Sequence, residues 1–252
     1  MNARHVRTRK LEICIESLSS VRAALAGGAD RLEVCGRLAV GGITPSAELV
    51  EQCVELSSSG STGSTNSNTM MMIRPHWRDF VYSQEDLNVM LNDICIAKQM
   101  GVQGVVFGAL TADRSVDKEL CRRLIDTARP LEITFHRAFD LAREAFHALD
   151  DLLDLGFDRV LTSGQAETAL QGSQLLQRLV HHAGETLSVI VAGNVRAENI
   201  RQLQSTGATE FHSSARTLKS IDQLGSMDSC EHLYEVDEAE VRTMAQVIHR
   251  AG

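Results

Sequence analysis

Short apolar segments alternate along the chain with longer segments whose apolar positions recur every three to four residues. Lys10 to Ile15 alternates with a period of two and predicts a strand. Ser17 to Gly27 then reads as a helix closing on Gly27-Gly28. The same succession predicts strands over Asp30–Cys35, Met70–Arg74, Gly104–Phe107, Leu131–His136, Asp158–Leu161, Leu187–Val191 and Thr209–His212. Between and after them, helices are predicted over Pro45–Leu56, Gln84–Met100, Val116–Ala128, Glu144–Leu155, Ala166–Ala183, Arg196–Thr206 and Asp237–Arg250. Thr44 is the expected N-cap of the helix that begins at Pro45.

Glycine punctuates this succession. Gly28, Gly101, Gly156 and Gly207 each stand where a helix gives way to the next strand, a place that favours a left-handed residue. Eight such alternations with short links point to an α/β fold, a single (β/α)8 barrel of the TIM type. An open doubly wound sheet is the competing arrangement, but no Gly-x-Gly-x-x-Gly follows the first strand. The 252 residues suit one such barrel. Residues 1–9 are expected to be a disordered basic tail and 10–252 one barrel domain. The segment 57–69, almost entirely Ser, Thr, Gly and Asn, is expected to form a flexible loop.

A formal net charge of -8 argues against a nucleic-acid or lipid-surface role, both of which need a dense basic face. No apolar run approaches the length of a membrane span. None of the six cysteines forms a Cys-x-x-Cys pair, which suggests a reduced, cytoplasmic protein.

Alternation also assigns faces. On the first strand Leu11, Ile13 and Ile15 are set to meet helices, leaving Glu12 and Cys14 inside the barrel. The second strand repeats the device with Glu33 and Cys35 inward. In similar register Cys14 would neighbour Cys35, and Glu12 would neighbour Glu33. Glu210 and His212 share the inner face of the eighth strand, and Thr134 and His136 that of the fifth. Arg74 closes the third strand, while Arg137 and Asp140 follow His136 into a loop. Charged groups are costly to bury unless paired, so their convergence at the carboxyl ends of parallel strands marks a site. Cys53, Cys95 and Cys121 lie on helices and read as small apolar side chains.

Several segments together resemble the CutC copper-homeostasis family: Leu-Glu-Ile-Cys at 11–14, Gly-Ala-Asp-Arg-Leu-Glu-Val-Cys at 28–35, Gly-Gly-Ile-Thr-Pro-Ser at 41–46, Thr-Phe-His-Arg-Ala-Phe-Asp at 134–140, Val-Leu-Thr-Ser-Gly at 160–164 and Phe-His-Ser-Ser-Ala at 211–215. The resemblance is colinear from about residue 10 onward. It implies a TIM-type barrel and a cytoplasmic homo-oligomer, dimer or tetramer, connected with copper tolerance. It also implies copper(I) binding at Cys14 and Cys35, the positions matching two cysteines to which the metal has been assigned in a vertebrate relative. The chain departs from the family pattern after the third strand, where Arg74-Pro75-His76-Trp77-Arg78-Asp79-Phe80 replaces a sequence with two glycines. A bulkier loop that narrows the barrel mouth is expected there. The glycine-containing turn after strand seven reads Ala192-Gly193-Asn194-Val195, and the Ser-rich stretch before strand three is longer than usual.

Three functions follow from these positions. In the first, soft thiolates of Cys14 and Cys35 hold copper(I), with His136 or His212 as a third ligand. In the second, the barrel is an enzyme acting on a small anionic substrate. There His136 serves as acid or base, Glu12, Glu33 or Glu210 as its partner, and Arg74, Arg137, Asp140, Ser163, Gly193, His212, Ser213 and Ser214 as substrate-binding groups. In the third, the Ser-rich segment and the acidic stretch 231–240 make the chain an interaction scaffold.

Overall fold

The computed structural model describes residues 9–59, 68–218 and 234–250. Eight parallel strands close into a barrel in sequence order. They are β1 (Lys10–Ile15), β2 (Arg31–Val34), β3 (Thr69–Met72), β4 (Gly104–Phe107), β5 (Glu132–Phe135), β6 (Arg159–Thr162), β7 (Ser188–Val191) and β8 (Glu210–Ser213). The surrounding helices are α1 (Leu18–Gly27), α2 (Ala47–Ser59), α3 (Gln84–Gln99), α4 (Lys118–Ala128), α5 (Ala145–Leu155), α6 (Ser173–Ala183), α7 (Ile200–Leu203) and α8 (Glu238–Arg250). The chain is therefore a (β/α)8 barrel. A small antiparallel pair, β9 (Arg216–Leu218) with β10 (Tyr234–Val236), lies where a plain polar loop was expected.

The period-two reading of the strands holds. Leu11, Ile13, Ile15, Leu32, Val34, Ile133, Phe135 and Phe211 are fully or almost fully buried in the layer between sheet and helices. Each such side chain contributes about 1.5–3 kcal/mol. Gly28 caps α1 with φ 92°, and Gly156 caps α5 with φ 78°. Among the described residues, no helix is long and apolar enough to cross a membrane.

Several boundaries shift. Thr44 does not cap α2. Its hydroxyl accepts the Arg74 backbone N–H at 2.9 Å and lies 3.2 Å from Asp93 Oδ2, tying the ends of β2 and β3 together, while the Leu49 N–H reaches Ser46 Oγ. The expected loop at 57–69 begins later, because α2 runs on to Ser59 and β3 starts at Thr69. Ser57 is buried, with its hydroxyl 3.2 Å from that of Thr69. Residues 1–8 of the expected tail, the Ser-rich core 60–67 and part of the acidic stretch 231–240 lie outside the described residues. The helices expected over 166–183 and 196–206 shrink to α6 and α7: irregular turns occupy 166–172 and 196–199, and a 3-10 helix, Gln204–Thr206, replaces the end of the second.

Candidate metal centre and barrel mouth

The barrel interior is polar from its floor upward. Arg31 is 2% exposed and lies between two acids, Glu12 Oε2 and Glu210 Oε2, each at 2.5 Å. Glu12 was expected beside Glu33. The stagger of the barrel instead sets Glu12 opposite Arg31 and Cys14 opposite Glu33, moving the β2 partners along by one inward-facing position. Burial favours the neutral acid, but Arg31 and His212 outweigh it and hold Glu12 far below the carboxylate range. Glu210 is likewise lowered despite its burial, by Arg31 and by the Ser188 hydroxyl at 2.7 Å. A second inward arginine, Arg159, pairs with Glu132 at 2.7 Å and donates to Thr134 Oγ1 at 3.0 Å. Both arginines could have been read from the sequence. Arg31 shares the alternating face of Glu33 and Cys35, and Arg159 that of Leu161.

Above this floor, Glu12 Oε1 meets His212 Nδ1 at 2.7 Å, leaving the other ring nitrogen for the cavity. His212 Nε2 lies 3.6 Å from Glu33 Oε2. One ligand atom each from Cys14, Glu33 and His212 lie within 4.8 Å of one another. Burial alone would keep His212 neutral, but the charges of Cys14 and Glu33 and hydrogen bonds to Cys14 and Glu12 hold its proton well above the usual range. Burial pushes Glu33 up to about 7, against the pull of His212. The second oxygen of Glu33, Oε1, is buried without a hydrogen-bond partner.

Cys35 lies outside this three-residue group. It lines the same cavity, but burial and the neighbouring Glu33 charge push its thiol far up. Its sulfur also packs under the turn at Gly42, where a Cβ would stand 3.3 Å from Sγ and where φ is +83°. Met72 shares the small apolar cluster around Cys35.

The cavity encloses about 310 Å³. Of the anticipated positions, Cys14, Glu33, Cys35, Arg74, His136, Arg137, Gly193, His212, Ser213 and Ser214 line it. Glu12 and Glu210 sit beneath it in the ion-pair floor. Asp140 and Ser163 lie behind its wall: Asp140 accepts the backbone N–H groups of Ser163 and Gln165 and the hydroxyl of Thr162, and pairs with Arg137 at 2.8 Å. This network braces the loops after β5 and β6. Asn194 and Arg216, in the loops after strands seven and eight expected to bind an anion, line it too, as do Phe80, Leu161 and Arg196, which nothing in their local sequence marks.

His136 is buried beside Arg74. Burial, then the charge of Arg74, push its pKa down to about 3, so the ring is neutral across the physiological range. Its Nδ1 accepts the Ala138 N–H at 3.2 Å, which places the ring proton on Nε2. Gly108 allows this seat, since a Cβ there would lie 2.6 Å from Nδ1. Trp77 does not narrow the mouth: it is 55% exposed, and only its carbonyl turns inward, to Arg74.

The CutC family pattern matches residues 9–217. A CutC family protein of Pasteurella multocida is 42% identical over 208 residues, covering 82% of each chain. The human copper homeostasis protein cutC homolog is 41% identical over 248 residues, covering 93% of this chain and 87% of that one. Among solved structures, the copper homeostasis protein CutC of Streptococcus agalactiae superposes with a TM-score of 0.75 at 29% identity, covering 82% of this chain and 99% of that one. With its barrel, its buried thiol–imidazole–carboxylate group and these relatives, the chain belongs to the CutC family.

Proposed function

We propose that this protein binds copper(I) as cargo at the carboxyl ends of β1, β2 and β8, with Cys14 and His212 as the principal donors. The observation that carries this reading is the convergence of Cys14, Glu33 and His212 within 4.8 Å. Sulfur and imidazole suit a soft monovalent ion. Glu12 on the far nitrogen of His212 supplies the carboxylate–histidine support common at metal sites, and Arg31 anchors Glu12 in turn. The unpartnered Glu33 Oε1 fits a group awaiting a cation.

His212 holds its proton beside Cys14. Copper(I) entering between them would replace one monovalent cation by another and leave the total charge of the buried cluster unchanged. Cys35 remains a thiol beside Glu33 and is a reserve ligand. Five free cysteines among the described residues accord with a reducing, cytoplasmic setting. Homo-oligomer formation stays part of the same proposal, by likeness to the family.

Anaerobic copper(I) titration against a competing chelator tests the reading. Cys14→Ser and His212→Phe are expected to abolish tight uptake, and Cys35→Ser to weaken it less. Equal uptake by wild type and Cys14→Ser would end the proposal.

A further inference from the structure

The same cavity holds a second set of unused polar atoms. Arg74 is 6% exposed and has no ion-pair partner among the described residues. Its terminal nitrogens are committed to backbone carbonyls: Nη1 donates to Gly42 at 2.9 Å and Val40 at 3.4 Å, and Nη2 to Trp77 at 3.1 Å. Its Nε–H is buried without a hydrogen-bond partner, as is the hydroxyl of the neighbouring Tyr82. His136, 3% exposed, presents the same deficiency at Nε2–H. Each orphaned buried donor costs about 1–3 kcal/mol, so two on one cavity wall need a reason.

Both groups lie against the same side chain. The Phe80 ring centroid is 4.6 Å from Arg74 Cζ and 4.8 Å from the His136 ring. Phe80 belongs to the segment joining β3 to α3, is only part-buried, and packs its ring against both groups at the cavity.

We propose that Arg74 Nε–H and His136 Nε2–H form a seat for the carboxylate of a small organic acid, with Phe80 as its movable cover. One fixed positive charge and two single donors match one carboxylate with two oxygens. Arg137 is already paired with Asp140 and Arg216 with Glu16, which leaves Arg74 and Arg196 as the cavity arginines without an ion pair among the described residues, and the two single donors Nε–H and Nε2–H suit a planar carboxylate better than a tetrahedral phosphate. Leu38, Met72, Leu161 and Ala192 give the acid's carbon skeleton an apolar wall. The seat stands on different residues from the copper group and does not rest on that reading.

The test uses metal-free full-length protein titrated with acetate, succinate and inorganic phosphate, followed by calorimetry and by the nitrogen resonance of His136 Nε2. The carboxylates are expected to bind and shift that resonance, with phosphate at least tenfold weaker. His136→Phe keeps the ring against Phe80 and removes the donor, so carboxylate affinity falls at least tenfold. Phe80→Ala uncovers the seat and raises affinity several-fold. Cys14→Ser binds carboxylate as wild type does, which separates this result from the copper result. No carboxylate binding to either wild type or Phe80→Ala, phosphate bound more tightly than carboxylate, or unaltered binding by His136→Phe would each overturn the proposal.

Discussion

Glu12 holds His212 by its Nδ1 at 2.7 Å, and Arg31 holds Glu12 at 2.5 Å, so a three-residue chain runs from the barrel floor to the cavity. Its order fixes what each member does. Arg31 keeps Glu12 ionised, Glu12 fixes the orientation of the imidazole, and the imidazole turns its free nitrogen toward Cys14 and Glu33.

The middle member of that chain therefore tunes the site through His212 without being a ligand itself. Glu12→Gln leaves Cys14, Glu33 and His212 in place but gives His212 a neutral partner. Copper(I) affinity is expected to fall about 10–100-fold, the usual cost of losing such support. Competition titration beside a folded-state check by circular dichroism measures it. An unchanged affinity would remove Glu12 from the account.

Arg31 is a structural keystone. Arg31→Met removes the cation between two buried acids, leaving Glu12 only His212 and Glu210 only the Ser188 hydroxyl. Breaking a buried pair in this way costs about 3–5 kcal/mol. Denaturant unfolding should show that loss, and adding Glu12→Gln and Glu210→Gln to Arg31→Met should recover part of it.

His136 makes stability depend on pH with a definite sign. Its folded pKa, about 3, lies below its ordinary value of 6.5. Between these values the unfolded chain binds a proton that the folded chain refuses. The stability present above pH 6.5 is therefore lost as pH falls toward 3, with a slope approaching about 1.4 kcal/mol per pH unit. His136→Phe lacks this proton, so its stability should decline less steeply over the same window. Denaturant midpoints from pH 7 to 4 for both proteins provide the comparison.

Asp140 is predicted to matter for the loops and not for the metal. Asp140→Ala removes the acceptor for the Ser163 and Gln165 N–H groups and for Thr162, at a cost on the order of 3 kcal/mol. Copper(I) affinity should change less than twofold, since Asp140 lies behind the cavity wall. Unfolding and titration on the same variant separate the two effects.

The parts of this molecule written in short-range pattern could be read from the chain. Alternation placed Glu12, Cys14, Glu33, Cys35 and His212 on inner faces, and eight glycine-punctuated strand–helix alternations pointed to the barrel. The same rule applied to Arg31 and Arg159 would have found the cations that make the buried acids tolerable. Register could not be read, because barrel stagger arises only on closure; Cys14 therefore faces Glu33 rather than Cys35. The environment of His136 was equally hidden, since Arg74 and Phe80 reach it from another strand end. Phe80 carries no local sign that it packs against Arg74 and His136, and Trp77, which looked able to block the mouth, turns outward.

The ligand set of bound copper(I) tests the central claim most directly. X-ray absorption at the copper K-edge on the anaerobically loaded protein should show one sulfur with at least one imidazole nitrogen, and the imidazole signal should vanish in His212→Phe. A shell of two sulfurs with no nitrogen, unchanged in His212→Phe, would contradict the Cys14–Glu33–His212 centre.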